Sequence, residues 1–222
     1  PGASNALAVL VTARDATVIK STRIPIVEGK FTYDVELQGG MEHILLVYPE
    51  VITQSRPDYW ERFDVQRDQL LTALKKANVG PGFRGLVNPM GDYVAFQAGN
   101  FVPTSTYFRM EFRQFLETRY RNVETLQRAW ALSANELTTF DLMARLVPLW
   151  SGTRGIPYAW DPVTDRQYRC NNRTSSIWAD VQATVNAAAA RRFDRLVAAI
   201  RQIADVPVVQ DWRGWAAPYE AS

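Results

Sequence analysis

The spacing of apolar residues changes near Pro57, and this change limits which folds the chain can adopt. Before it, four short runs have strand character: "ALAVLVT", "TVIKS", "KFTYDVEL" and "HILLVYPE". The third run alternates, with Phe31, Tyr33, Val35 and Leu37 on one face, whereas the fourth is apolar enough to predict a more fully buried strand. No helical pattern interrupts these runs, so we predict a β-meander or part of a β-sandwich here.

After Pro57 the apolar residues recur at helical spacing. Helices are predicted from Asp58 to the breakers at Gly80 and Pro81, from about 105 to 121, in "NVETLQRAWAL", from Ser133 in "SANELTTFDLMARLVPLW", and over 177–204. One apolar strand, 83–87, follows the first of these helices, another, 206–209, follows the last, and 151–175 is predicted to be a long loop. This alternation of strand and helix is the signature of a parallel sheet.

Composition excludes several classes of function. The chain of 222 residues has 25 basic and 23 acidic residues, a balance that argues against nucleic acid or an acidic membrane surface as a partner. It has no apolar stretch long enough to span a membrane. One cysteine and one histidine exclude an internal disulfide and a cysteine-rich zinc site. We therefore expect no metal and no cofactor, and His43, inside "EHILLVY", is a poor member of a catalytic triad.

Acidic and aromatic residues follow both predicted parallel strands. Carboxylates at such strand ends are where (β/α) barrels keep their acids and bases, and glycoside cleavage needs two of them. Asp92 and Asp211 are the predicted catalytic pair, although a cap or turn is the commoner use of a single aspartate between a strand and a helix. Aromatic rings nearby would stack on sugars. The predicted substrate-binding residues are Asn88, Tyr93, Trp212, Arg213, Trp215 and Glu220.

The stretch "FRMEFRQFLETRYRNVETLQRAW" resembles a segment of the TIM-barrel β-galactosidases of glycoside hydrolase family 42. That segment has the form Phe-Arg-x-Phe/Trp-Leu-x-x-x-Tyr, followed by Leu-x-x-Ala-Trp. The resemblance covers about residues 83–215, and one motif differs: the family's acid/base strand ends in Asn-Glu, whereas "GLVNPMGDY" has no glutamate. The matching residues are Phe112, Arg113, Phe115, Leu116, Tyr120, Leu126, Ala129 and Trp130.

The resemblance implies an α/β fold class: a partial (β/α) TIM-barrel-like region over 57–222, preceded by a β-rich, sandwich-like segment over 1–56. It implies a segment of a carbohydrate-active, glycoside hydrolase-like protein that acts on or binds β-linked sugars, with further domains in the same polypeptide. The family's nucleophile lies on a later strand, so we expect the isolated chain to be inactive. A β-sandwich before a barrel occurs in secreted glycosidases, which favours a secreted or periplasmic location. The alternatives are a non-catalytic module that binds glycan or peptide through Trp and Tyr, and a structural domain without a ligand.

Overall fold

The computed structural model describes residues 4–37, 39–49, 61–77, 79–89, 106–132, 136–149, 158–171 and 174–210. These residues form helices and small sheets, so the chain has a mixed α and β fold, as the sequence predicts. In chain order the elements are β1 (Asn5–Thr12), β2 (Val18–Pro25), β3 (His43–Pro49), α1 (Glu61–Ala77), β4 (Leu86–Val87), α2 (Thr106–Tyr120), α3 (Val123–Trp130), α4 (Phe140–Ala144), β5 (Val147–Pro148), β6 (Tyr158–Asp161), β7 (Arg166–Arg169), α5 (Ile177–Arg201) and β8 (Val208–Val209).

The chain divides into two compact units. The first unit comprises Pro1–Gln54 and Gln97–Trp178, and the second unit comprises Ser55–Phe96 and Ala179–Ser222. The predicted contrast on either side of Pro57 is confirmed for the described residues, because the described elements before it are all strands and all five described helices follow it. The division into a β-rich 1–56 and a barrel-like 57–222 stays a prediction.

An antiparallel sheet in the order β2-β1-β3 begins the first unit. Both faces of the central strand β1 are covered, and the sequence "ALAVLV" explains how. Leu7, Val9 and Val11 point to one face and join its main core cluster, whereas Ala6 and Ala8 point to the other. The period-two alternation of large and small side chains therefore gives the sheet one deep face and one shallow face.

Two strand predictions for this region are wrong in part. Residues 31–37 form no strand; instead Tyr33 packs over the shallow face, where the small alanines leave room for its ring. β3 forms as predicted but is less buried than expected, with Ile44 and Leu45 exposed by 42% and 41%. The cause is its position, since β3 pairs only with β1 in this sheet and lies at its edge.

The predicted long loop over 151–175 contains a β-hairpin, so that prediction is wrong for its described part. β6 and β7 pair antiparallel, and β5 extends the sheet on the other side of β6. The turn "DPVTD" is closed by Asp161, whose carboxylate accepts the Val163 N–H at 2.9 Å, and by Asp165, which has a positive φ of 56°. Trp160 from this hairpin joins the deep-face cluster of the first sheet.

Three helices complete the first unit. α2 lies where the sequence predicts it, and Phe108, Phe112 and Leu116 are buried on one face as expected. Phe115, predicted to be buried with them, is half-buried, and the guanidinium of Arg119 lies 5.8 Å from its ring centre. α3 also forms where predicted.

The helix predicted from Ser133 is shorter than expected. α4 begins after Thr139, whose hydroxyl accepts the Leu142 N–H at 3.2 Å, and Ser133 itself lies outside the described residues. Val147 and Pro148 form β5 instead of continuing the helix. Proline has no N–H to donate in a helix interior, which accounts for the early end.

The second unit contains α1, β4, the main part of α5, and β8. Leu74 of α1 packs with Leu196 and Ile200 of α5 to form its core cluster. β4 and β8 pair in parallel, which confirms the predicted parallel arrangement of these two strands. Gly85 permits the close approach: its φ is +152°, and a Cβ there would lie 2.6 Å from the carbonyl oxygen of Pro207. The described sheets have three, two and three strands, and none of them closes into a barrel.

Candidate functional site

The first candidate site is the edge formed by the carboxyl ends of β4 and β8, called here the β4–β8 edge. Leu86 pairs with Val208 and Val87 with Val209. The Asn88 N–H donates to the carbonyl oxygen of Val209 at 2.7 Å, so the pairing continues one residue beyond β4. Asn88 is exposed and has a left-handed φ of 51°, a conformation that asparagine tolerates better than most residues. The backbone turns at this point, where two strands end together.

Only one of the predicted site residues lies at a described position. Asn88 lies on the β4–β8 edge, and the register places Gln210, which is buried, beside it as the residue that follows β8. The sequence-based prediction of carboxylates at this edge did not include Gln210, although "VVQDW" places it on the same strand end. The other predicted residues lie outside the described residues: Asp92, Tyr93, Asp211, Trp212, Arg213, Trp215 and Glu220.

A second candidate site was not predicted from the sequence: a groove between α2 and α4 in the first unit, called here the α2–α4 groove. Its volume is about 410 Å³. It is lined by Thr106, Arg109, Met110, Arg113, Gln114, Glu117, Asp141, Ala144 and Arg145. Arg109 and Arg113 are four residues apart and therefore lie on the same face of α2. That spacing in "FRMEFRQF" was the one available signal in the sequence.

Two of the three arginines in the groove are bound by carboxylates. Arg113 donates to Glu117 at 2.9 Å and lies 3.1 Å from a carboxylate oxygen of Asp141. Arg145 donates to Asp161 at 2.8 Å, and this aspartate is completely buried. Charge is therefore matched locally at both positions, and the third arginine is the exception.

Arg109 is half-buried and has no hydrogen bond or salt bridge to any residue in the described part of the chain. Its Nε atom is buried and without an acceptor there. Burial lowers the pKa of the Arg109 guanidinium from its ordinary value; the charge of Asp161 raises this pKa and the charge of Arg145 lowers it. The groove thus contains one partly desolvated cation beside a second cation, an arrangement that favours an added anion.

Other groups that could bind a metal ion or act as a nucleophile are few among the described residues. They contain no cluster of three or more His, Cys, Asp or Glu residues that could hold a metal ion. No helix built from them is both long enough and apolar enough to cross a membrane. Cys170 is buried, and burial raises the pKa of its thiol to about 11. A thiol in that environment is a poor nucleophile because the thiolate is the reactive form.

We expect Cys170 to react with iodoacetamide at pH 8 at least about tenfold more slowly in the folded protein than in urea. It is the one cysteine in the chain, so the alkylated mass reports on it alone. Because folding favours the neutral thiol, this residue should also lower stability as the pH rises from about 9 to about 11. Equal alkylation rates in the two states would show that the thiol is accessible in the fold.

Comparisons of the chain with models of known protein families, with curated proteins and with solved structures found no match.

Proposed function

We infer that the chain is a segment of a carbohydrate-active, glycoside hydrolase-like protein, and that the β4–β8 edge faces the sugar. One observation supports this most directly: the register of β4 and β8 ends both strands at the same edge of a parallel pair. In (β/α) barrels the catalytic and binding residues follow the carboxyl ends of the strands. Each strand here follows a helix in the chain, α1 before β4 and α5 before β8, as in a barrel.

The proposed roles extend along the chain from that edge. Asp211 is bonded directly to Gln210, and Asp92 follows Asn88 by four residues. In the proposal these two carboxylates are catalytic groups of glycoside cleavage, which needs one carboxyl group to protonate the leaving oxygen and another to attack or activate water. The family resemblance puts the nucleophile on a later strand, so these two groups are not sufficient in the isolated chain. The side chains proposed to hold the sugar by stacking or hydrogen bonding are Asn88, Tyr93, Trp212, Arg213, Trp215 and Glu220.

A non-catalytic glycan- or peptide-binding module is the second proposal. It is favoured by the composition of the edge, where Asn88 supplies an exposed amide directly after β4. Amides donate and accept hydrogen bonds but do not exchange protons with a leaving group. An edge of this kind would bind a sugar or peptide without cleaving it.

Trp212→Ala is expected to weaken binding of β-linked oligosaccharides by about tenfold, because an aromatic face stacked on the ligand is lost. Calorimetry with a panel of neutral β-linked oligosaccharides measures this. Trp212→Phe is the matched control, since it keeps an aromatic face and should lose less affinity. We expect no release of reducing sugar by the isolated segment.

The possible results separate the proposals. Sugar binding that depends on Trp212, together with no hydrolysis, fits either a glycosidase segment or a glycan-binding module. Adding the continuation of the reading frame then distinguishes them, because the enzyme should gain activity that Asp211→Asn abolishes. Binding of peptides but not sugars would favour the peptide module, and binding of neither would contradict both.

A further inference from the structure

We propose that the α2–α4 groove is a second binding site, which holds a small ligand through an oxyanion group, a carboxylate or a phosphate, bound by Arg109. This site lies within the first unit and is independent of the sugar site proposed at the β4–β8 edge. Three observations support it: the charge pairing in the groove, the engagement of the nearby buried Asp161 by other donors, and the size of the groove.

The charge pairing leaves Arg109 as the cation with capacity for a ligand. Arg113 already binds Glu117 and Asp141, and Arg145 already binds Asp161. A guanidinium that is partly removed from water loses hydration that a partner must replace. For Arg109 the described residues provide no such partner, and its buried Nε is left without an acceptor.

Asp161 does not fill this role, because its hydrogen bonds go to other groups. Its Oδ1 accepts the Val163 N–H at 2.9 Å. Its Oδ2 accepts Arg145 at 2.8 Å and the Thr164 hydroxyl at 3.0 Å. Asp161 therefore acts on Arg109 through its charge, which raises the pKa of the Arg109 guanidinium, and not through a hydrogen bond.

The size and lining of the groove indicate a small molecule. A volume of about 410 Å³ lies within the range of sites for metabolite-sized ligands. The planar guanidinium presents parallel N–H donors that match a carboxylate or phosphate. Glu117 and Asp141 also line the groove, and their negative charges oppose a polyanion such as nucleic acid.

The test compares anionic and neutral ligands by calorimetry on the whole chain. The probes are inorganic phosphate, glucuronate as a carboxylate, and glucose as the uncharged counterpart of glucuronate. We expect phosphate or glucuronate to bind in a way that depends on Arg109, and we expect no Arg109-dependent binding of glucose. Arg109→Gln should weaken anion binding by about ten- to a hundredfold, because a charge-assisted hydrogen bond is lost. The anion that binds with the higher affinity, phosphate or glucuronate, identifies the ligand class.

Arg128→Gln is the matched control, since it removes one positive charge from an exposed position on α3 outside the groove. It should bind the anion as the unsubstituted chain does. The anion should also raise the melting temperature of the unsubstituted chain and of Arg128→Gln, but not of Arg109→Gln. If Arg109→Gln does not fold, Arg109→Lys is the second variant. It keeps the positive charge but lacks the planar guanidinium with its parallel N–H donors, so it should bind the anion more weakly than the unsubstituted chain does.

Three results would overturn the proposal. The first is no measurable binding of either anion, and the second is equal affinity in Arg109→Gln and Arg128→Gln. The third is binding of glucose as strongly as glucuronate with both affinities weakened by Arg109→Gln, which would assign the groove to sugar hydroxyls. None of these results affects the sugar site, because that test uses neutral oligosaccharides and the Trp212 variants.

Discussion

Phe112→Ala is expected to lower the free energy of unfolding by about 3–5 kcal/mol. The Phe112 side chain is 0% exposed, at the centre of the apolar face of α2. Its ring lies 5.4 Å from that of Phe108 and stacks on Trp130 at 5.9 Å. Truncation removes contacts with both rings and leaves a cavity between α2 and α3, and the surrounding helices can only partly close around it.

Urea denaturation followed by circular dichroism measures this loss. Phe115→Ala is the matched control, because it removes the same side chain from the same helix at a half-buried position. The control should cost clearly less than Phe112→Ala. A loss below about 1 kcal/mol for Phe112→Ala would show that this face of α2 does not belong to the core.

Asp161→Ala is expected to cost a similar amount, about 3–5 kcal/mol, for a different reason. Asp161 is 0% exposed and accepts hydrogen bonds from Arg145, Val163 and Thr164. Its removal leaves the partly buried guanidinium of Arg145 without a carboxylate, and the turn at Val163 and Thr164 without the acceptor of its hydrogen bonds. Removing one partner of a buried ion pair is more damaging than replacing both, because the remaining charge stays desolvated.

The exposed pair between Asp141 and Arg113 provides the control. Asp141→Ala also removes the aspartate partner of an arginine, but Asp141 is 67% exposed and water replaces its contact with Arg113. We therefore expect Asp141→Ala to change stability little. The double variant Asp161→Ala with Arg145→Met should recover part of the loss, since no unpaired charge remains. Similar costs for Asp161→Ala and Asp141→Ala would contradict the buried pair as the source of the effect.

The spacing of apolar residues predicted those elements whose packing partners are near in sequence or whose repeating pattern extends over many residues. α2 and α3 agree closely with the predicted ranges, and β4 and β8 lie inside the two predicted strands and pair in parallel. Helical spacing over many residues is a strong signal because each turn repeats it. A short apolar run is weaker, since it shows that a segment is buried but not which neighbour covers it.

The wrong predictions depend on contacts between distant parts of the chain. Whether 31–37 pairs as a strand depends on the alanines of β1, and these set the shallow face that Tyr33 covers. The exposure of β3 depends on strand order, which its own residues do not encode. The hairpin of β6 and β7 was predictable from the turn "DPVTD", but the length of the polar stretch around it favoured a loop.

The two candidate sites differ in the same way, since one was predictable from the sequence and the other was not. The β4–β8 edge followed from the sequence, because parallel strands end together, and Asn88 lies on it. The α2–α4 groove did not follow. What distinguishes Arg109 is that Arg145 takes the available carboxylate of Asp161, and nothing local in the sequence links these three residues.

The interleaving of the two units has a consequence for how the protein is made. Each unit is built from two stretches of chain, separated by a stretch of the other. The pairing of Leu86 with Val208 must wait until all of 97–178 has been synthesised, and closing so long a loop has an entropic cost before any contact offsets it. Until then α1 lacks Leu196 and Ile200, which share its core cluster. Any fragment made by a single cut that contains one whole unit therefore also carries a stretch of the other unit, and the first unit should be complete on the ribosome before the second.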